Sequence, residues 1–152
     1  MKSNFAATIG NFDGVHLGHQ ELIDKIKQAA KKNNLKTKVI TFNPYPFEFF
    51  QWKKKRILSE FDKNDLLKKL GIDEIKSIKF DEEFRNQTAE DFFINTLVKE
   101  NIKFLSVGKD FKFGKDRAGD IELLNELCIS NNVELHVLDD FKANTVKVSS
   151  TL

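Results

Sequence analysis

The chain has 152 residues, 40% of them hydrophobic, with charges of both signs intermixed and a formal net charge of +2. That length predicts one domain able to bury a hydrophobic core without staples. The composition argues against disorder, and the charge is too small to imply nucleic-acid binding by bulk electrostatics. The lone cysteine, Cys128, rules out a disulfide or a cysteine metal cluster within the chain. With no leader pattern and no membrane-length apolar run, the expected address is the cytoplasm.

Residues 5–9 read as a short apolar strand closed by Gly10. Residues 18–32 read as a helix, because Leu22, Ile23, Ile26 and Ala30 recur at helical spacing and Lys31 and Lys32 fall in the last turn. Residues 38–42 (KVITF) form a β-branched buried strand. Strand, helix and strand within about forty residues make a βαβ unit with parallel strands. Residues 43–56 hold both prolines and read as irregular. Ser59, with Asp62 three residues on, caps a helix that carries Leu66, Leu67 and Leu70 and stops at Gly71. Residues 74–80 alternate as a strand, and Thr88 with Asp91 caps a helix through Phe92, Phe93, Leu97 and Val98. A strand at 104–107, a helix at 119–130 and a strand at 133–138 follow, with Val146 and Val148 in a last extended piece. Alternating strands and helices predict an α/β protein with a mostly parallel five-stranded sheet flanked by helices.

In such sheets ligands bind beyond the carboxyl ends of the strands, where strand order reverses. Three polar segments follow strands: GNFDGVHLGH, NPYP and GKDFKFGKDRAGD. The first holds two of the chain's three histidines, His16 and His19. Gly10 and Gly14 permit a tight turn, and the loop then feeds a helix whose first N–H groups are unpaired and favour a phosphate. Residues three apart share a helix face, so both imidazoles can point at an anion held there, and Gly18 leaves room for its approach. The alternatives are two surface histidines in a turn, or a pair satisfied within the core. Zinc is disfavoured because a third ligand is missing, Asp13 being placed to shape the turn.

The string GNFDGVHLGHQ resembles the H-x-G-H signature of the nucleotidylyltransferase superfamily, and is most similar to the FMN adenylyltransferase module of the bacterial bifunctional riboflavin kinase/FMN adenylyltransferases. TFNPYPFEFF, RILSEFDKNDLLKKLGID, VGKDFKFGKDRAGD and VKVSST resemble that family's later motifs in the same order. Phosphopantetheine adenylyltransferases typically carry Thr at the first histidine position, and neither they nor cytidylyltransferases carry a GKDFKFG-like segment. The chain stops at Leu152, before the arginine of the family's S-S-T-x-I-R segment and before any riboflavin kinase domain. The resemblance therefore implies an isolated adenylyltransferase module, weakened if that arginine matters. It is expected to act as a monomer at residues 1–152.

The resemblance implies a Rossmann-like nucleotidylyltransferase fold and the reaction ATP + FMN → FAD + pyrophosphate, with Mg2+ arriving on ATP. His16, His19 and Asn43 become catalytic candidates, although Asn43 before Pro44 also suits a side-chain-bonded turn. Nucleotide contacts are implied for Gly10, Phe12, Asp13, Gly14, Gly18, Gly108, Asp110 and Phe111, and for Ser149, Ser150 and Thr151 unless these are a polar tail. Asn43, Pro44, Phe47 and Arg117 are candidates for the flavin, with a solvated surface the alternative for Arg117. Phe47, Phe49, Phe50 and Trp52 are expected either to wall the isoalloxazine or to pack a flap onto the core. The run from Lys53 to Arg56 is a solvated loop or steers anionic substrates. Competing expectations are a different phosphorylated acceptor, or a nucleotide- or flavin-binding module without turnover.

Overall fold

The central strands are apolar on both faces, as strands covered by helices on each side must be. In the computed structural model, which describes residues 3–14, 17–53, 55–143 and 146–149, every residue of β1 (Phe5–Ile9) and all but the first of β2 (Lys36–Phe42) are buried. With β3 (Glu74–Ile78), β4 (Ile102–Gly108) and β5 (Glu134–Leu138) they form one sheet in the order β3-β2-β1-β4-β5. All four pairings are parallel, from Phe5 opposite Lys36 on one side of β1 to Thr8 opposite Ser106 on the other. The order reverses at β1, so the loop leaving β1 lies at the switch point.

Two cores follow from the alternation of side chains across the sheet. On one face Ala6, Val39 and Phe104 pack with Ile23 and Ile26 of α1 (Leu17–Asn33) and Leu67 of the later helix Glu60–Lys69. On the other, Phe5, Ala7, Ile9, Ile40 and Leu105 pack with Phe92, Phe93 and Leu97 and with Leu124 and Cys128.

Local chemistry sets most boundaries. The short helix α2 (Pro46–Phe49) lies where the sequence suggested irregular chain; the Glu48 carboxylate accepts from Tyr45 N–H and closes its first turn. Helix α3 (Glu60–Lys69) is capped by Ser59 Oγ accepting from Asp62 N–H at 3.0 Å, as expected. Helix α4 (Glu82–Arg85) has no apolar period of its own, and its one local signal is Asp81, whose carboxylate accepts from Phe84 N–H. Helix α5 (Ala89–Phe93) is capped by Thr88 and widens into π-type bonding over Ile94–Val98. Helix α6 (Ile121–Ser130) begins two residues later than the pattern suggested. Asp120 caps it, and Gly119 is bonded back to Phe113. The extended piece at Val146 and Val148 is β7 (Val146–Ser149), paired antiparallel with β6 (Asp140–Ala143) in a separate two-stranded sheet. Among the described residues no helix is long and apolar enough to cross a membrane.

Cys128 is 1% exposed, and burial pushes its thiol up to about 11. A thiol whose folded pKa is raised contributes stability that is complete below the unfolded value and lost as pH rises through the folded one. Stability should therefore decline above about pH 9. Thiol-reagent labelling at pH 8 should follow global unfolding; fast labelling of the native protein would refute this burial.

Candidate active site

The loop after β1 is built around Phe12, which is fully buried with φ +53°. Its ring lies under Gly10, where a Cβ would come within 3.0 Å of it, and its centroid is 4.6 Å from the His19 imidazole. The loop feeds α1, in which His19 is the third residue and half-buried. The first turn of α1 carries no acidic residue, and Lys31 and Lys32 sit at the far end. The unpaired N–H groups and positive pole of this N-terminus therefore meet no competing carboxylate from their own turn.

One carboxylate ties the second loop to the first, and another closes the second loop on itself. Asp13 accepts from Ile57 and Leu58 N–H, both at 2.8 Å, which brings the segment after the prolines against the histidine loop. Arg56 donates to both oxygens of Glu48, at 3.0 and 2.7 Å, and to Asn43 Oδ1 at 3.0 Å. The guanidinium hydrogen bond holds the Glu48 carboxyl below the usual range and raises Arg56 further. A guanidinium only donates, so the Asn43 amide must turn its oxygen to Arg56 and present its NH2 outward.

Lys63 lies beneath this junction, wholly buried. Its Nζ donates to Thr41 Oγ1 at 3.0 Å, sits 3.2 Å from Glu60 Oε1 and lies 4.4 Å from the Tyr45 ring centre. Thr41 Oγ1 in turn donates to the Asn11 carbonyl at 3.0 Å, so β2, α3 and the loop after β1 are joined through one ammonium. Burial pulls the lysine below its ordinary pKa. The spacing Lys63 to Leu67 puts both on one helix face, a signal that the sequence carried and that charge alone obscured.

On the sheet face opposite α1 a cavity of about 610 Å³ opens at the carboxyl ends of the strands. Ile9 ends β1 and Gly10 and Asn11 come from the first loop, Pro46, Phe50 and Trp52 from the second, and residues 111–114, 116 and 117 from the segment after β4. Phe42, Phe80, Phe84 and Phe92 complete an aromatic wall, and Arg85 lies at its side. Phe50 and Trp52 are stacked at 5.4 Å and 17°, Phe111 and Phe113 at 5.6 Å and 15°. Gly114 (φ +80°) is required here, since a Cβ would lie 2.7 Å from the Ala89 backbone.

The three loops thus converge, and Gly10, Phe111 and Arg117, expected at the nucleotide, the nucleotide and the flavin respectively, all line this one cavity. Several side chains depart from expectation. Phe47 is 2% exposed and stacked on Tyr45, so it belongs to the core, while its neighbours Phe50 and Trp52 reach the cavity. Phe47 lies within α2, whereas Phe50 caps its end and Trp52 follows it. Phe12 supports the loop from below, and both Asp13 oxygens are engaged by backbone, so neither side chain is a free ligand contact. Pro46, not Pro44, meets the cavity. Gly14 (φ +79°) turns the chain beside Ile57, Gly18 is the second residue of α1, Gly108 ends β4 and Asp110 is exposed. Ser149 ends β7, whereas His16, Ser150 and Thr151 lie outside the described residues. The third histidine is elsewhere: His136 Nδ1 is 3.0 Å from Ser106 Oγ, and burial lowers its pKa.

A parallel sheet with a glycine-bearing loop and a helix N-terminus at its switch point, beside an aromatic cavity, defines a Rossmann-like α/β protein of the nucleotidylyltransferase type. Its fold matches the crystal structure of a Streptococcus pneumoniae protein described as a macrolide-efflux protein, with a TM-score of 0.84 and 29% identity over 99% of this chain and 51% of that one. The FAD synthetase family model matches residues 1–152, and the chain belongs to that family. It is 43% identical over 99% of its length to the bifunctional riboflavin kinase/FMN adenylyltransferase of Buchnera aphidicola subsp. Schizaphis graminum, covering 50% of that protein. It is 31% identical over 95% of its length to the FAD synthetase of Listeria monocytogenes, covering 59% of it. The chain thus spans about half the length of the curated relatives it matches.

Proposed function

We propose that this chain transfers AMP from ATP to FMN, giving FAD and pyrophosphate. The observation that carries this reading is the juxtaposition of a tricycle-sized aromatic cavity with the loop that feeds the α1 N-terminus, both meeting at Gly10 and Asn11. An aromatic wall suits a flat heterocycle, and a helix N-terminus suits phosphate. The phosphate of a flavin seated in the cavity would lie toward the triphosphate.

In the reaction an FMN phosphate oxygen attacks the α-phosphorus of ATP in line with the leaving pyrophosphate. One P–O bond forms as the other breaks. The attacking oxygen is already ionised near neutral pH, so positioning and charge stabilisation suffice. His16, His19 and the α1 N–H groups would hold the triphosphate and the charge that develops there. The outward NH2 of Asn43, aligned by Arg56, would face the reacting phosphates. Mg2+ enters as part of the substrate MgATP, because the cation favours phosphate oxygens and water. Ser149, Ser150 and Thr151 are assigned to the nucleotide side, and Arg117 to the flavin side.

The test is FAD formation from FMN and MgATP, resolved by chromatography against CTP and other phosphorylated acceptors. FAD made only from the ATP and FMN pair supports the proposal. Tight flavin binding without any product would make the chain a binding module instead.

A further inference from the structure

We propose, resting on the flavin reading of the cavity, that Arg85 is a specificity residue that grips the carbonyl-bearing pyrimidine edge of the isoalloxazine. Arg85 ends α4 and lines the cavity among Phe50, Trp52, Phe80 and Phe84. The other charged lining residues, Lys112, Asp116 and Arg117, all come from the segment after β4. Arg85 is therefore the single cation that α4 and the residues before it bring to the described wall.

Its present partners leave most of its donors unused. The guanidinium carbon is 5.1 Å from the Phe50 ring centre, and Nη1 is 3.1 Å from Glu82 Oε1, one residue turn away on the same helix. The Glu82 side chain is 69% exposed, so this pair is a surface ion pair and holds the arginine only weakly. A guanidinium has five N–H donors in a planar fork. Held against Phe50, that plane lies beside an aromatic slot with donors to spare.

An isoalloxazine is chemically two-ended. Its dimethylbenzene edge is apolar, and its pyrimidine edge carries two carbonyls and a ring nitrogen that accept hydrogen bonds, beside one ring N–H that donates. The phenylalanine-lined interior suits the first edge, and Arg85 suits the second. Arg85 is held against the Phe50 ring, part of the aromatic wall, so the group assigned to it is the ring. Because the cavity is otherwise aromatic, a ring lacking those carbonyls would stack as well but gain nothing from the arginine.

The experiment is a fluorescence titration of riboflavin and of FMN into the parent, Arg85→Ala and Arg85→Lys, with the KM for ATP measured in parallel. Riboflavin shares the ring and lacks the phosphate. Arg85→Ala should weaken both ligands alike, by about tenfold or more, as expected for a lost charge-assisted hydrogen bond. The KM for ATP should not change. Arg85→Lys should recover only part of the loss, since it keeps the charge and not the fork. Unchanged riboflavin affinity in Arg85→Ala would overturn the proposal, as would a loss confined to FMN, which would assign the arginine to phosphate. If the parent itself bound neither flavin, the flavin reading of the cavity would fall first. An unchanged urea midpoint in each variant separates recognition from folding.

Discussion

His19→Ala should lower the rate of FAD formation about 10²- to 10³-fold, the cost of removing one donor aimed at developing charge. His19 stands in the first turn of α1, where the helix dipole and unpaired N–H groups already favour an anion, and its ring rests on the buried Phe12. That support fixes the imidazole without committing it to the core. The substitution should cost only about 1 kcal/mol in stability, the scale of one aromatic contact. A normal circular dichroism spectrum beside a collapsed kcat would assign the loss to chemistry. If the imidazole acts mainly on the transition state, kcat should fall and the KM for ATP should change little. A variant within threefold of the parent would remove His19 from the mechanism.

Lys63→Ala should be the most destabilising single change near the site, at about 3 kcal/mol, toward the lower end for a broken buried ion pair because Glu60 is partly exposed and can rehydrate. It leaves a void, leaves Glu60 with Arg56 at 3.8 Å as its remaining ion partner, and loosens the Thr41 bridge to the Asn11 carbonyl. Lys63→Met, which fills the space without a charge to bury, should cost far less. The sign with pH follows from the direction of the shift. The folded pKa is depressed, so the unfolded chain binds this proton more tightly, and the lysine's penalty is full at neutral pH. It is relieved as pH rises toward the ordinary value of 10.5, so the parent gains stability there and both substitutions should cost more at pH 9.5 than at pH 7. Urea unfolding at pH 7 and pH 9.5 measures both quantities. Equal stability of Lys63→Ala and the parent would mean that this ammonium is solvated.

The legible parts of the molecule are those governed by near neighbours in sequence. The strand Phe5–Ile9 has the bounds its apolar run suggests, and the caps at Ser59 and Thr88 are where an Asp follows three residues on. The convergence of three loops follows from βαβ chirality and parallel pairing, and was available before any coordinates. The helix Glu82–Arg85 was less legible because a single turn has no apolar period to display. The strand Asp140–Ala143 depends on a partner, Val146–Ser149, rather than on its own pattern.

By itself the sequence determined the α/β class, the histidine loop at the head of a helix and, through motifs in a constant order, the family. Local spacing and backbone chemistry carry that information. Only the tertiary structure decided the orientation of individual side chains. It turned Phe47 inward and left Phe50 and Trp52 at the cavity. It engaged Asp13 with backbone instead of ligand, buried Lys63 under the loop, and brought Arg85 to a wall built from distant segments. The reason is physical. Burial and long-range hydrogen bonding depend on which surfaces the sheet and its helices bring together, and no window of sequence contains both partners.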